Sequence, residues 1–469
     1  MTEPRPNQEH NLALKTFSGG VHPADSKQLT NRSAIVEPAL PERVLIPLRQ
    51  SLGAPAQPLV KVGDEVTAGQ MIGEPSGFVS VPVHASISGK VTALGRFPHP
   101  LGGEDRAIVI EGDGNDTWHE SVAPRENVDD LAPKEIVEII RQAGIVGLGG
   151  AAFPTHVKLS PPDSKPIDAA ILNGAECEPW LTADHRLMLE RPSEVLRGFR
   201  LMMRALGCGR GIVGIEANKP DAVETMRAAA SALRSERPDE PAIEVAMVQV
   251  KYPQGAEKQL IHALLGRRVP AGGLPMDVAV VVQNVGTAFA TYEACHLGMP
   301  LTHRVVTVTG TPLERPTNFM PRIGTLVSSL VEQAGGLRGE VAKVVSGGPM
   351  MGIAQFTTEI PVIKGMSGVL FMAPGEVDVR PPDPCIRCGH CVEACPMKLL
   401  PTTIEKYVMA GKIEDAARIG LNDCIECGSC AYVCPSRRRL VHNFKFGKLM
   451  ASQMRKKAAE QEAKEKGGR

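Results

Sequence analysis

Aromatic residues are scarce, at 4% of the 469-residue chain, with only two tryptophans and four tyrosines. Few rings leave little for nucleobases to stack on, so a single-strand nucleic-acid platform is unsupported. Net charge is also missing. Lys plus Arg and Asp plus Glu both number 52, which removes the basic field that phosphate backbones attract. No apolar run approaches the roughly 18 residues of a membrane span. Stretches such as 278–282 suit short buried strands. The first ten residues are polar, with Pro4 and Pro6 and no apolar signal core. A soluble chain in a reducing compartment is expected, reaching a membrane only through partners. Hydrophobic content of 43% with 22% charged residues is ordinary for a globular protein, and the length calls for three or four domains.

Cysteine is not scarce. Of eleven, eight fall into two copies of one pattern. The first is Cys385-x-x-Cys388-x-x-Cys391-x-x-x-Cys395-Pro396, and the second is Cys424-x-x-Cys427-x-x-Cys430-x-x-x-Cys434-Pro435. Three thiolates at this spacing wrap one cubane, and the cysteine before proline reaches the other. The pattern predicts two [4Fe-4S] clusters, one on Cys385, Cys388, Cys391 and Cys434, the other on Cys424, Cys427, Cys430 and Cys395. Gly389, Gly428 and Ser429 let the backbone close tightly around sulfide. Zinc sites take separated pairs, and disulfide frameworks belong to small secreted chains. Cys177, Cys208 and Cys295 are scattered, the last two expected as buried small hydrophobes.

Residues 1–33 are expected as a loose N-terminal arm, with a turn at Gly19-Gly20-Val21-His22-Pro23. From 34 to 125, short alternating strands with Gly-Asp and Ser-Gly turns suggest hairpins. Their layout resembles the lipoyl/biotinyl barrel-sandwich hybrid. The tip at Pro75-Ser76-Gly77-Phe78 holds no lysine, so no swinging arm is expected. Residues 126–310 alternate helical and strand periods, predicting an α/β sheet covered on both faces. Helices are expected at 133–143, 220–235, 256–265 and 286–295. Strands are expected at 169–172, 212–215, 243–250, 278–283 and 305–309. A small α+β module with a helix at 324–334 is expected over 311–375. The cluster domain spans 376–440, with one helical stretch at 402–419, and a basic, charged helical tail occupies 441–469.

The glycine-rich segment Gly147-Leu148-Gly149-Gly150-Ala151-Ala152-Phe153-Pro154-Thr155 follows helical spacing rather than a strand. The ordinary dinucleotide fingerprint is therefore rejected. Such a loop still lets backbone N–H groups approach a phosphate, and Lys158 is near enough to add charge. Past the strand at 169–172 come Asn173-Gly174-Ala175-Glu176-Cys177-Glu178-Pro179, where α/β folds place ligands. By itself this segment reads equally well as a polar turn with solvated glutamates.

Together with Tyr252-Pro253-Gln254-Gly255-Ala256-Glu257 and Gln283-Asn284-Val285-Gly286-Thr287, these segments resemble, in order, the FMN-site motifs of the NADH-oxidising subunit of respiratory complex I. Leu148 stands where that subunit has arginine and Gly286 where it has glutamate. The Tyr252 segment carries one glutamate rather than two. Over the whole chain, from about residue 19 to 439, the order of parts is more similar to the C subunit of the Rnf (Rsx) electron transport complex. Ser346-Gly347-Gly348-Pro349-Met350-Met351-Gly352 resembles that family's SLBB region.

The resemblance implies a multidomain α/β and α+β chain. Its parts are a barrel-sandwich hybrid, a Rossmann-like FMN/NADH domain, a β-grasp SLBB module and a ferredoxin-like α-helical domain with two [4Fe-4S] clusters. It implies non-covalent FMN and NAD(H). Gly147, Gly149, Gly150 and Lys158 would hold the FMN phosphate region. Asn173, Glu176 and Asn284 would contact ribityl or isoalloxazine, and Tyr252 and Gly255 would complete the flavin wall. Glu178, Glu257 and Phe153 would lie on the NADH side. No catalytic acid or base is expected, because hydride transfer depends on positioning. The implied activity is an NADH:ferredoxin oxidoreductase module, peripheral on the cytoplasmic side of the bacterial inner membrane. Ion translocation would fall to partner subunits, and electrons would pass to the ferredoxin-like B subunit and membrane subunits. A soluble flavoprotein of related build, such as the cobalamin reductase of bacterial microcompartments, is a second reading. A relay or scaffold with an empty α/β domain is a third.

Overall fold

Four strands form the middle of the molecule: β1 (Ala169–Gly174), β2 (Gly211–Glu216), β3 (Ile243–Val248) and β4 (Val280–Asn284). In the computed structural model, which describes residues 14–467, they pair in parallel in the order β3-β2-β1-β4. Alternate side chains enter two apolar layers. Ala170, Leu172, Val213, Ile215 and Val281 join residues of helices Pro133–Gln142, Pro192–Leu206 and Val285–Tyr292. Ile171, Ile212, Ala246, Val248, Val280 and Val282 join Leu260, Ile261 and Leu264 of helix Glu257–Leu265. Coverage on both faces explains why the strands read as continuous apolar runs. Helix Pro192–Leu206 meets helix Val285–Tyr292 at Gly198, where any side chain would run into the Ala288 carbonyl.

The barrel-sandwich domain is two antiparallel sheets. One orders Arg43–Pro47, Glu104–Gly112, Gly89–Pro98 and Glu65–Val66, and the other Gln57–Pro58, Met71–Glu74 and Val83–His84. Val44, Ile46, Ile72, Val83, Ile87, Ile108 and Ile110 fill the space between them.

Four expectations are corrected. The strand expected at 305–309 in the flavin sheet forms at Val306–Thr309 but pairs elsewhere. It lies between Thr317–Phe319 and Gly368–Met372 in the five-stranded sheet of the following module. An apolar run does not say which sheet will hydrogen-bond it. The helix expected across 402–419 is two helices, Pro401–Met409 and Ile413–Arg418, broken where Gly411 takes a left-handed φ of 70°. The tail expected from 441 is continuous with the cluster domain. Its helix Leu440–Gly467 buries Leu440, Phe444 and Ala451 against Ile404, Val408 and Leu421. The described part of the arm is pinned rather than loose, while residues 1–13 and 468–469 lie outside the described residues. Lys15 bridges Val248 of β3, Val21 pairs with Tyr252, and the Gly20 N–H donates to the Ala394 carbonyl at 2.9 Å. Gly19 and Gly20 hold φ of 85° and 82°, and side chains there would strike the Cys395 and Tyr252 carbonyls. The arm therefore threads between the flavin domain and the cluster domain. Among the described residues, no helix is long and apolar enough to cross a membrane.

Candidate functional site

The chain leaves β1 toward β2 on one side and returns to β4 on the other, so the strand order reverses between β1 and β4. Ligands of open α/β sheets sit in the crevice at the carboxyl ends of such a switch point. Asn173 and Asn284 are register partners there. Asn284 caps helix Val285–Tyr292, its Oδ1 accepting from Gly286 N at 2.8 Å. Its Nδ2 donates to Asp184 Oδ2 at 2.7 Å. Asn173 Nδ2 donates to the Gly255 carbonyl at 2.8 Å, which draws the Tyr252 segment over the crevice.

The glycine-rich loop closes the third side. Leu148 N donates to Thr287 Oγ1 at 2.8 Å, and Gly149 stands against the Asn284 side chain. Residues 149–151 are exposed. Gly150 has φ of 116° with open space where a side chain would project, so a ligand can approach the main chain closely. Lys158 Nζ donates to Glu257 Oε1 at 2.7 Å and to the Val282 carbonyl at 3.1 Å. Phe153 is half-buried. Two of the three departures from the complex I motif are neighbours, because a Cβ on Gly286 would lie 3.3 Å from the Leu148 side chain. Both charges are thus replaced at one contact.

Two glutamates are engaged elsewhere. The Glu176 carboxylate accepts from Asp184 N at 2.7 Å and His185 N at 3.2 Å, tying down the start of helix Ala183–Glu190. Glu178, expected on the nucleotide side, accepts from Met350 N at 3.1 Å and Met351 N at 2.9 Å of the SLBB loop. Burial pushes its carboxyl up to about 7, against the pull of those two N–H groups. Tyr252 lies behind the crevice, 2% exposed, its hydroxyl donating to the Cys427 carbonyl at 2.7 Å. That hydroxyl is 3.4 Å from Glu178. One junction thus joins flavin domain, SLBB loop and cluster loop.

Two residues carry no clear mark in the sequence. Asp184 stands half-buried beside Asn284, and desolvation first, then Glu176, pushes its carboxyl up to about 7. It lies in the first turn of helix Ala183–Glu190, a helix that was not expected from the sequence. Lys27, 4% exposed, donates to the carbonyls of Glu176, Glu178 and Leu181, and no sequence pattern singles it out.

The cysteine loops repeat one backbone course. Arg387 and Glu426, Gly389 and Gly428, and Lys398 and Arg437 all hold positive φ at equivalent places. Arg387 N and Glu426 N each donate to the first thiol of their loop at 3.4 Å. Leu399 N does the same to Cys395 at 3.4 Å. Burial raises the Cys391 thiol, and Cys434 and Cys388 lie near it. Burial likewise raises Cys430, whose thiol neighbours in order are Cys424, Cys427, Cys395 and Cys391. Among the described residues no such group closes on a single metal ion. Two sets of thiols with N–H donors aimed at sulfur fit cubane clusters.

Four family models match in sequence. They are the RnfC barrel sandwich hybrid domain at residues 15–115, the Nuo51 FMN-binding domain at 140–293, the SLBB domain at 305–354 and a 4Fe-4S dicluster domain at 384–438. The chain is 48% identical to the C subunit of the proton-translocating ferredoxin:NAD(+) oxidoreductase complex of Clostridium ljungdahlii, covering 83% of this chain and 84% of that one. It is 47% identical to the Na(+)-translocating counterpart of Acetobacterium woodii, covering 85% and 88%. It is 42% identical to the C subunit of the ion-translocating oxidoreductase complex of Rhodobacter capsulatus, covering 95% and 86%. A crystal structure of NAD+-reducing [NiFe]-hydrogenase in the H2-reduced state shares the fold, with a TM-score of 0.50 and 22% identity. That likeness covers 66% of this chain and 62% of that one. With the flavin crevice, the SLBB loop and the paired cysteine loops in the order these relatives share, this chain belongs to the RnfC family, the FMN- and [4Fe-4S]-carrying C subunits of ion-translocating oxidoreductase complexes.

Proposed function

We propose that this chain is the NADH-oxidising peripheral subunit of its complex. It exchanges electrons between NAD(H) and ferredoxin from the cytoplasmic side of the membrane, while partner subunits translocate the ion. Bound flavin takes the two electrons of a hydride and releases them singly, a conversion that neither nicotinamide nor a cluster performs. The crevice residues Asn173, Asn284 and Gly255 would orient the ring system. Gly147, Gly149, Gly150 and Lys158 would hold its phosphate, with Lys158 exchanging Glu257 for the ligand. The carrying observation is the 2.7 Å hydrogen bond from Tyr252 to the Cys427 carbonyl. It sets a cluster loop directly behind the crevice.

Exposure supports a direction outward. In the set on the flavin side Cys395, Cys427 and Cys430 are buried and Cys424 is half-buried, whereas in the other set Cys388 is exposed, Cys385 and Cys434 are half-exposed and Cys391 is buried. Ile386, 69% exposed beside that outer set, offers an apolar contact for the electron partner, proposed to be the ferredoxin-like B subunit.

Anaerobic purification followed by NADH titration tests this. The expected result is about one FMN and about eight irons per chain, with flavin absorbance bleached by NADH before cluster absorbance falls. Flavin that stays oxidised under excess NADH would refute the proposal.

A further inference from the structure

We propose that Arg304, on the linker into the SLBB module, is a positioning residue for the phosphate end of the flavin site. Its buried guanidinium sets the glycine-rich loop and supplies the positive charge that the loop lacks. This rests on the placement of the flavin phosphate at Gly147, Gly149 and Gly150 proposed above.

Arg304 lies just before strand Val306–Thr309 and is 5% exposed. Its guanidinium donates to the Leu148 carbonyl at 3.2 Å, to the Val305 carbonyl at 3.1 Å and to the Lys364 carbonyl. The first of these bonds orients a peptide. In a trans peptide the N–H lies opposite the C=O, so a Leu148 carbonyl held inward turns the Gly149 N–H outward. Leu148 is buried, whereas residues 149–151 are exposed. Neither Gly149 N nor Gly150 N finds an acceptor among the described residues. Open N–H groups on a glycine-rich turn suit the oxygens of a phosphate.

The charge balance points the same way. A phosphate monoester brings about two negative charges at neutral pH. Residues 147–157 contain no lysine or arginine, and the Lys158 ammonium already sits 2.7 Å from Glu257. Arg304 is placed differently. Behind the loop it lines a small cavity with Asp184, Glu293 and His303. Glu293 is bonded to His303 at 2.9 Å, and Asp184 accepts from Asn284 at 2.7 Å. Among the described residues neither carboxylate forms an ion pair with Arg304, whose three bonds all go to carbonyls. Burial pulls the guanidinium down to about 10, against the pull of Asp184, so it stays charged at neutral pH. A buried cation without an ion-pair partner is costly. A phosphate on the loop offsets that cost, because charges in the interior are little screened by salt.

The test titrates FMN and riboflavin into the cluster-loaded full chain after its flavin is removed, following flavin fluorescence. The two ligands share the ring system and differ in the phosphate, and the parent should prefer FMN. In Arg304→Met, Kd for FMN should rise about ten- to hundred-fold, the value of a hydrogen bond to a charged group. Kd for riboflavin should hold within about twofold on the same argument. Arg304→Lys keeps the charge but loses the fork of donors. It should weaken FMN alone, by about three- to tenfold, and it decides the question if the methionine variant fails to take up about eight irons. Unchanged FMN binding would overturn the assignment. So would equal losses for FMN and riboflavin, which would mark Arg304 as a general support of the domain. A parent chain that binds both flavins equally would instead refute the phosphate placement itself, and the role of Arg304 with it.

Discussion

Cys395 follows the first cysteine triplet in sequence but keeps company with the second in space. It lies near Cys427 and Cys430, while Cys434 lies near Cys391. The exchange follows from spacing, since three residues and a proline carry the fourth thiol out of its own loop. Cys391→Ala should therefore lose the outer cluster, and Cys395→Ala the inner one. Each should retain about four irons per chain. Distinct electron paramagnetic resonance spectra from the two variants are the measurement. NADH–dye activity should survive in both, because the crevice residues lie on other elements. Glutamates teach the opposite lesson. Glu176 and Glu178 stand two apart at a strand end, yet one caps a helix and the other holds the SLBB loop. A carboxylate's sequence position does not say which N–H groups will reach it.

Among the elements, helices Pro192–Leu206 and Val285–Tyr292 decide how firmly the crevice is backed. The second begins at Asn284, so its seat fixes that side chain. Gly198 permits the close approach. Gly198→Ala should cost about 1–3 kcal/mol through overpacking, read as a lower midpoint in thermal melts. Flavin retention should fall in parallel, because the shifted helix carries Asn284 with it. The flavin-domain strands and the helices at 133–142, 220–236, 257–265 and 285–292 were legible in sequence because amphipathic periods and buried runs are local signals, whereas helices Ala183–Glu190 and Pro192–Leu206 were not expected. The partner of strand Val306–Thr309 was not. Neither was the break at Gly411, since isolated glycine is tolerated within many helices.

At the scale of the whole molecule, barrel, flavin domain and SLBB module meet around Lys364. Its Nζ donates to the carbonyls of Pro82 at 3.1 Å and Gly144 at 2.7 Å. Burial pulls the Lys364 ammonium down to about 7. Nearby His84, 6% exposed, is pushed down to about 3, by burial first and then by Lys364. Above pH 6.5, His84 is neutral in folded and unfolded chains alike. As pH falls from 6.5 toward 3, the unfolded chain takes a proton that the folded one refuses. Stability should then drop by up to about 1.4 kcal/mol per pH unit from this residue. His84→Gln should flatten that acid slope, and urea melts at pH 7 and pH 5 are the check. Equal losses in parent and variant would exclude His84 as the cause.

By itself the amino-acid order determined the two clusters, the sequence of domains and the family, because metal spacing and hydrophobic period are short-range codes. Only the tertiary structure decided what the N-terminal arm does, which glutamates remain free for a ligand, and that Tyr252 reaches the inner cluster loop. Those outcomes rest on hydrogen bonds between residues more than a hundred positions apart. Such bonds are set by how whole domains pack, and no local pattern in the chain encodes them.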